Sequence, residues 1–186
     1  MKTALIVVDV QNDYFPGGRM PVEGSVEAAQ QTRLVLAYFR KSGLPLAHIQ
    51  HISDYPGARF LIPDTPGVEI NEAVAPQPGE TVFRKRYPNS FRDTPLPGFL
   101  RDSGVRRLII CGMMTHMCID ATVRAAFDLG FKCVVLGDAC ATRALTYRNV
   151  EIPAAHVHGA FLAALSPIFA TVTDVATFLS DESTTG

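Results

Sequence analysis

The hydrophobic pattern of the chain alternates between two rhythms. Ala4-Leu5-Ile6-Val7-Val8 is a continuous apolar, mostly β-branched run closed by Asp9, the pattern of a central parallel strand covered on both faces. From Ser25 to Ser42 the spacing becomes helical. Val26, Ala29, Leu34, Ala37 and Tyr38 fall near one face, and Gly43 ends the segment. Leu46 to Ile52, Thr81 to Arg84, Arg107 to Cys111, Lys132 to Leu136 and Ile168 to Val172 read as further strands. Helices are predicted over Phe99–Ser103, Cys118–Leu129 and Ala154–Leu165, the last just after Pro153. Asp174 caps a closing helix through Leu179, and Ser180 to Gly186 is expected to fray. Strands alternating with helices predict an α/β fold with a parallel sheet and right-handed crossovers.

The stretch from Ser53 to Gly79 breaks the rhythm. Pro56, Gly57, Pro63, Pro66, Gly67, Pro76 and Pro78 punctuate it, with a short helix expected near Val68 to Val74. A connection this long inside a compact domain usually serves function or a partner.

Composition narrows the function classes. The 186 residues suit one domain over the whole chain, residues 1–186. Seventeen Lys and Arg against eighteen Asp and Glu give a net charge of −1. No basic block stands out, so neither nucleic acid nor an anionic membrane is an expected partner, and a small molecule is. Cys111, Cys118, Cys133 and Cys140 lack CxxC spacing, which fits a reducing cytoplasm better than a secreted disulfide framework. Cys111 and Cys133 read as buried core. The apolar run Ala4–Val8 is too short for a signal peptide or a membrane span.

Chemistry gathers at the strand ends. Leu108-Ile109-Ile110-Cys111 breaks at Gly112, and helical spacing resumes at Cys118. A helix N-terminus carries unpaired N–H groups and partial positive charge, which favours a thiolate. On that stretch alone, a small buried hydrophobe explains Cys118 equally well. Asp9 follows the first strand and Lys85 the third. Alone, Lys85 reads as part of a solvated cluster with Arg84 and Arg86, and Asp13 as a turn or capping aspartate. A parallel sheet, however, brings Asp9, Lys85 and Cys118 to one edge, where ligands bind. An acid, a cation and a thiol there make a coherent nucleophilic set.

Three motifs carry a resemblance. They are Val7-Val8-Asp9-Val10-Gln11-Asn12-Asp13-Tyr14-Phe15, Arg84-Lys85-Arg86-Tyr87-Pro88-Asn89-Ser90-Phe91 and Gly112-Met113-Met114-Thr115-His116-Met117-Cys118. In this order the chain resembles the isochorismatase-like cysteine hydrolase superfamily over nearly its whole length. The resemblance implies a three-layer, Rossmann-like fold, with a six-stranded parallel sheet and helices on both faces. It also implies an Asp9–Lys85–Cys118 triad, a cis peptide at Met113-Met114, and an oxyanion hole from the Met114 and Cys118 N–H groups.

The chemistry expected on that basis is amide hydrolysis through a thioester on Cys118. Two alternatives stand beside it: an isochorismatase-type vinyl-ether hydrolase, and a protein of another class. The latter is either a thiol-redox protein with Cys140 as resolving cysteine or a non-catalytic small-molecule binder. Nicotinamidases of the superfamily carry an Asp-x-His metal motif, whereas this chain has His51 and Asp54 without it. No metal and no cofactor are therefore expected, and His51 is expected to line or support the pocket. His156 and His158 lie two apart on a helix and make poor joint ligands. Phe15, Tyr87 and Phe91 are the candidate pocket walls. The Ser53–Gly79 loop is expected to cap the site or to reach a neighbouring subunit, in a homo-oligomer of two or more chains.

Overall fold

A computed structural model describes residues 1–185, and Gly186 lies outside the described residues. A six-stranded, all-parallel sheet runs through its centre in the order β3-β2-β1-β4-β5-β8. The strands are β1 (Thr3–Val8), β2 (Leu46–His51), β3 (Thr81–Lys85), β4 (Arg107–Met113), β5 (Lys132–Ala141) and β8 (Thr171–Thr173). Helix α1 (Ser25–Lys41) packs against α5 (Val175–Thr185), while α3 (Asp120–Asp128) packs against α4 (Ala154–Leu165). A short α2 (Leu96–Asp102) carries the chain from β3 to β4. The chain winds outward from β1 in both directions, so right-handed crossovers put the helices on opposite faces. This is the α/β sheet that the hydrophobic rhythm predicts.

The first apolar run forms β1, and its residues Ala4 to Val8 are at most 1 % exposed. Strands buried on both faces have no polar side to show, which is why the run is continuous. On the α1 face, Tyr38, Phe39 and Phe178 join the two helices, with Phe39 and Phe178 stacked at 6.4 Å.

Several elements differ from the sequence reading. The last strand begins at Thr171 rather than Ile168, because Phe169 and Ala170 donate their N–H groups to Leu165 O and close α4. The expected fraying of the tail is corrected: α5 continues to Thr185, held partly by an Arg107–Glu182 ion pair at 2.5 Å. A hairpin that the sequence reading omits, β6 (Leu145–Tyr147) and β7 (Val150–Ile152), turns through Arg148 and Asn149. Both turn residues have positive φ, 49° and 61°, the requirement of a two-residue hairpin turn.

The long connection after β2 is fastened to the segment that follows β1. Its only regular pieces among the described residues are two 3₁₀ turns, Pro66–Val68 and Glu72–Val74. Gln11 donates from Nε2 to Val68 O at 2.7 Å and to His51 O at 2.9 Å, and accepts from the His51 N–H at 2.8 Å. Asp13 accepts from the Leu61 N–H at 2.6 Å and the Arg19 N–H at 3.1 Å. A side chain at Gly67 would run into that Asp13 carboxylate. Asp13 is therefore a backbone staple, close to the turn aspartate expected of it.

Candidate active site

Parallel pairing fixes where the chemistry falls. Val8 lies opposite Gly112, and His51 opposite Lys85. The residues just past these points share the carboxyl edge of the sheet, where loops can converge on a ligand. Gly112 has φ 123°, and a Cβ there would collide with the Val8 carbonyl. The turn after β4 thus needs glycine for both conformation and space. The Met113–Met114 peptide is cis. One turn of π-helix, Thr115–Ile119, follows and holds Cys118 before α3 begins. The helix start is therefore earlier and wider than the sequence reading has it, and such turns recur at functional sites.

The structure brings Asp9, Lys85 and Cys118 together. Lys85 Nζ lies 2.7 Å from Asp9 Oδ2, and both side chains are fully buried. Lys85 also donates to Pro88 O at 2.9 Å. Asp9 has φ 51°, a left-handed conformation rare outside glycine and characteristic of sites that need a particular aim. Neither Asp9 oxygen accepts from a backbone N–H or a hydroxyl among the described residues, which leaves lone pairs facing the ammonium and the thiol. Cys118 is 4 % exposed.

Electrostatics set the resting protonation. Burial pushes the Cys118 thiol up, and the Asp9 carboxylate pushes it further, while Lys85 opposes both. Burial also disfavours the Lys85 ammonium, but the Asp9 carboxylate beside it more than compensates and holds it above its ordinary value. The resting set is an ammonium–carboxylate pair beside a neutral thiol. At this helix start, loss of water around the sulfur outweighs the partial positive charge that favours a thiolate. Burial likewise pushes Cys111 and Cys133 up to about 12, which fits their reading as inert core thiols. All four cysteines are free, and Cys140 is buried on β5 with its thiol also raised by burial.

His51 ends β2 beside this set. Its Nδ1 is buried without a hydrogen-bond partner, and one donor atom each from Asp9, His51 and Cys118 lies within 4.8 Å of the others. Burial lowers the His51 pKa, partly offset by Asp9, so the ring is neutral at pH 7. These three could hold a cation, and the Lys85 ammonium already meets Asp9 at contact distance.

The other candidate walls spread further. Met114 is buried at the elbow and Phe15 is buried after β1. Phe15 lines a groove with Val26, Ala29 and Gln30 of α1. Phe91 is buried and stacks on Phe131 at 6.0 Å, at the opposite, amino-terminal end of β5. Tyr87 lies under the Arg92 guanidinium, 3.5 Å from its ring centroid.

One residue near the sulfur escaped the sequence reading. Tyr14 is 2 % exposed. Its hydroxyl is held protonated chiefly by burial, with the neighbouring Cys118 and Asp9 adding to it. Its place in the motif around Asp9 was the only signal in the sequence.

A buried acid–ammonium–thiol set thus sits at the carboxyl edge of a parallel α/β sheet. An isochorismatase domain model matches residues 3–177. The isochorismatase family protein YddQ of Bacillus subtilis is 50% identical over 179 residues, covering 96% of this chain and 99% of that protein. Streptothricin hydrolase of Streptomyces noursei is 39% identical over 152 residues, and the match spans 82% of this chain and 51% of that enzyme. Among solved structures, an isochorismatase from Pseudomonas putida is similar at TM-score 0.89 and 35% identity, over 94% of this chain and 89% of that one. A cysteine hydrolase from Pseudomonas syringae aligns at TM-score 0.90 and 27% identity, over 96% and 91%. N-carbamoylsarcosine amidase from Thermoplasma acidophilum aligns at TM-score 0.80 and 26% identity, over 94% and 97%. The chain belongs to the isochorismatase family of hydrolases.

Proposed function

We propose that the chain is a cysteine amidohydrolase that cleaves a small-molecule C–N bond through a thioester on Cys118. The carrying observation is the buried Lys85–Asp9 pair at 2.7 Å with the Cys118 thiol beside it. Asp9 takes the thiol proton as the sulfur attacks the amide carbonyl, and Lys85 stabilises the charge that passes to sulfur. The Met114 and Cys118 N–H groups receive the developing oxyanion, and one such donor lowers a barrier by about 3 kcal/mol. Asp9 then gives its proton to the leaving amine and serves as base for the water that opens the thioester. A neutral thiol beside a carboxylate suits this order, because the thiolate forms only as the proton leaves.

The N-carbamoylsarcosine amidase among the similar structures supports an amide over a vinyl ether, and the cysteine hydrolase supports a cysteine at the centre of the chemistry. The test is a panel of small primary and substituted amides, scored by amine release, with isochorismate in parallel. Amide turnover lost in Cys118→Ala is the expected result. Cleavage of isochorismate alone, or amide turnover retained in Cys118→Ala, overturns the reading. The site further calls for a homo-oligomer only if a neighbour completes it, which sedimentation of the whole chain would reveal. Among the described residues, no helix is long and apolar enough to cross a membrane.

A further inference from the structure

Resting on that amidase reading and extending it to the second half of the reaction, we propose that the His51 imidazole holds the water that opens the Cys118 thioester, while Asp9 takes that water's proton. Asp9, His51 and Cys118 each bring one donor atom within 4.8 Å of the other two. A water that gives one hydrogen to a carboxylate and the other to a ring nitrogen spans about 4.5 Å between its two acceptors. The spacing therefore suits one water between Asp9 and His51, beside an acyl group on the sulfur.

His51 is short of partners. Among the described residues nothing bonds its Nδ1, which is buried, and a buried polar atom of that kind calls for a water or a ligand. The ring is neutral, chiefly through burial, so one nitrogen keeps a lone pair for a water hydrogen. The backbone beneath the ring is clamped. Gln11 Nε2 donates to the His51 carbonyl at 2.9 Å, and Gln11 Oε1 accepts from the His51 N–H at 2.8 Å. The next N–H, of Ile52, donates to Lys85 O at 2.8 Å. Gln11, from the motif around Asp9, thereby fixes where the ring stands. The Lys85 ammonium takes Asp9 Oδ2 at 2.7 Å, which leaves Oδ1 as the open oxygen for the water. A single contact leaves a water free to turn, and a second one from His51 aims its lone pair at the thioester carbon.

The step needs no further reagent. The water oxygen bonds the acyl carbon and one proton passes to Asp9. The C–S bond then breaks, the sulfur recovers that proton from Asp9, and the second hydrogen leaves on the carboxylic acid product.

The test uses p-nitrophenyl acetate in a buffer containing EDTA. The p-nitrophenolate burst reports acetylation of Cys118, and intact mass follows the decay of the acetyl adduct. Only the decay consumes water. In His51→Leu the ratio of deacetylation rate to acetylation rate is expected to fall about tenfold, the loss of one hydrogen bond to the reacting water. His51→Asn or His51→Gln is expected to recover part of that ratio. A merely structural role slows both steps alike, so an unchanged ratio in folded His51→Leu overturns the proposal and leaves the thioester reading standing. Should His51→Leu fail to fold, His51→Ala decides on the same ratio. A wild-type adduct that never clears also overturns the water-holding role. A wild-type chain that forms no acetyl adduct at Cys118 overturns the thioester reading itself, and this proposal with it.

Discussion

Lys85 Nζ meets Asp9 Oδ2 at 2.7 Å in a place with no access to water. Each charge is tolerable there because the other is present. Removing one partner should therefore cost more than the pair contributes. Lys85→Met is expected to lose about 3–5 kcal/mol of stability through the stranded Asp9 carboxylate. Asp9→Asn/Lys85→Met is expected to recover most of that loss while staying inactive. Urea unfolding of the single and double variants checks this; a double variant as unstable as the sum of the singles would contradict it.

The neutral resting thiol gives a distinct pH signature. Burial and then Asp9 hold the Cys118 proton on, against Lys85. Alkylation by iodoacetamide should rise steadily as pH increases through the ordinary thiol range near ~8.5, with no plateau at neutrality. A plateau already reached at about pH 7 would mean a resting thiolate, and would reverse the protonation order argued above.

Gly112 tests the elbow without touching a reacting group. Its φ of 123° and the Val8 carbonyl in the way of any Cβ leave no room for alanine. Because the obstacle is the backbone of β1 and not a flexible side chain, Gly112→Ala is expected to lose more than about 4 kcal/mol. Thermal unfolding and soluble yield measure it. A wild-type melting temperature would show that β1 and β4 can part here at little cost.

Acid sensitivity should trace in part to Glu80. Its carboxylate accepts from Arg40 at 2.7 and 2.9 Å, and from the Gln77 N–H at 2.9 Å. Its Oε2 also lies 3.0 Å from His48 Nε2. The Arg40 hydrogen bond is the chief cause that lowers its pKa from 4.5 to about 2. A folded-state value below the unfolded one stabilises the protein fully above the unfolded value. That contribution is lost as pH falls from 4.5 towards 2. Glu80→Gln should therefore lower the urea midpoint at neutral pH and flatten its fall in acid. An unchanged acid slope would contradict the assignment.

Much of this was legible in the chain because a parallel sheet ties position to pattern. The apolar run Ala4–Val8 could only be an interior strand, and it placed Asp9 at a strand end. The same reasoning placed Lys85 and Gly112, and the pairing of β1 with β2 and β4 did the rest. What stayed hidden depends on contacts distant in sequence. The last turns of α5 are polar and look like a frayed tail, yet Glu182 reaches Arg107, 75 residues away. The hairpin turn at Arg148 and Asn149 lacks the glycine that usually marks one. Tyr14 comes near the sulfur from a loop whose path is set by tertiary anchors, such as Asp13 on Leu61. Helix position is visible in sequence, whereas the desolvation that raises the Cys118 thiol is not.

The central claim is covalent, so intact mass spectrometry of the whole chain, quenched during turnover of an amide panel, tests it most directly. The account expects a mass increase equal to the acyl group of the cleaved amide, mapping to Cys118 and absent in Cys118→Ala. Steady turnover with no acyl adduct at any quench time, together with activity in Cys118→Ala, would contradict it.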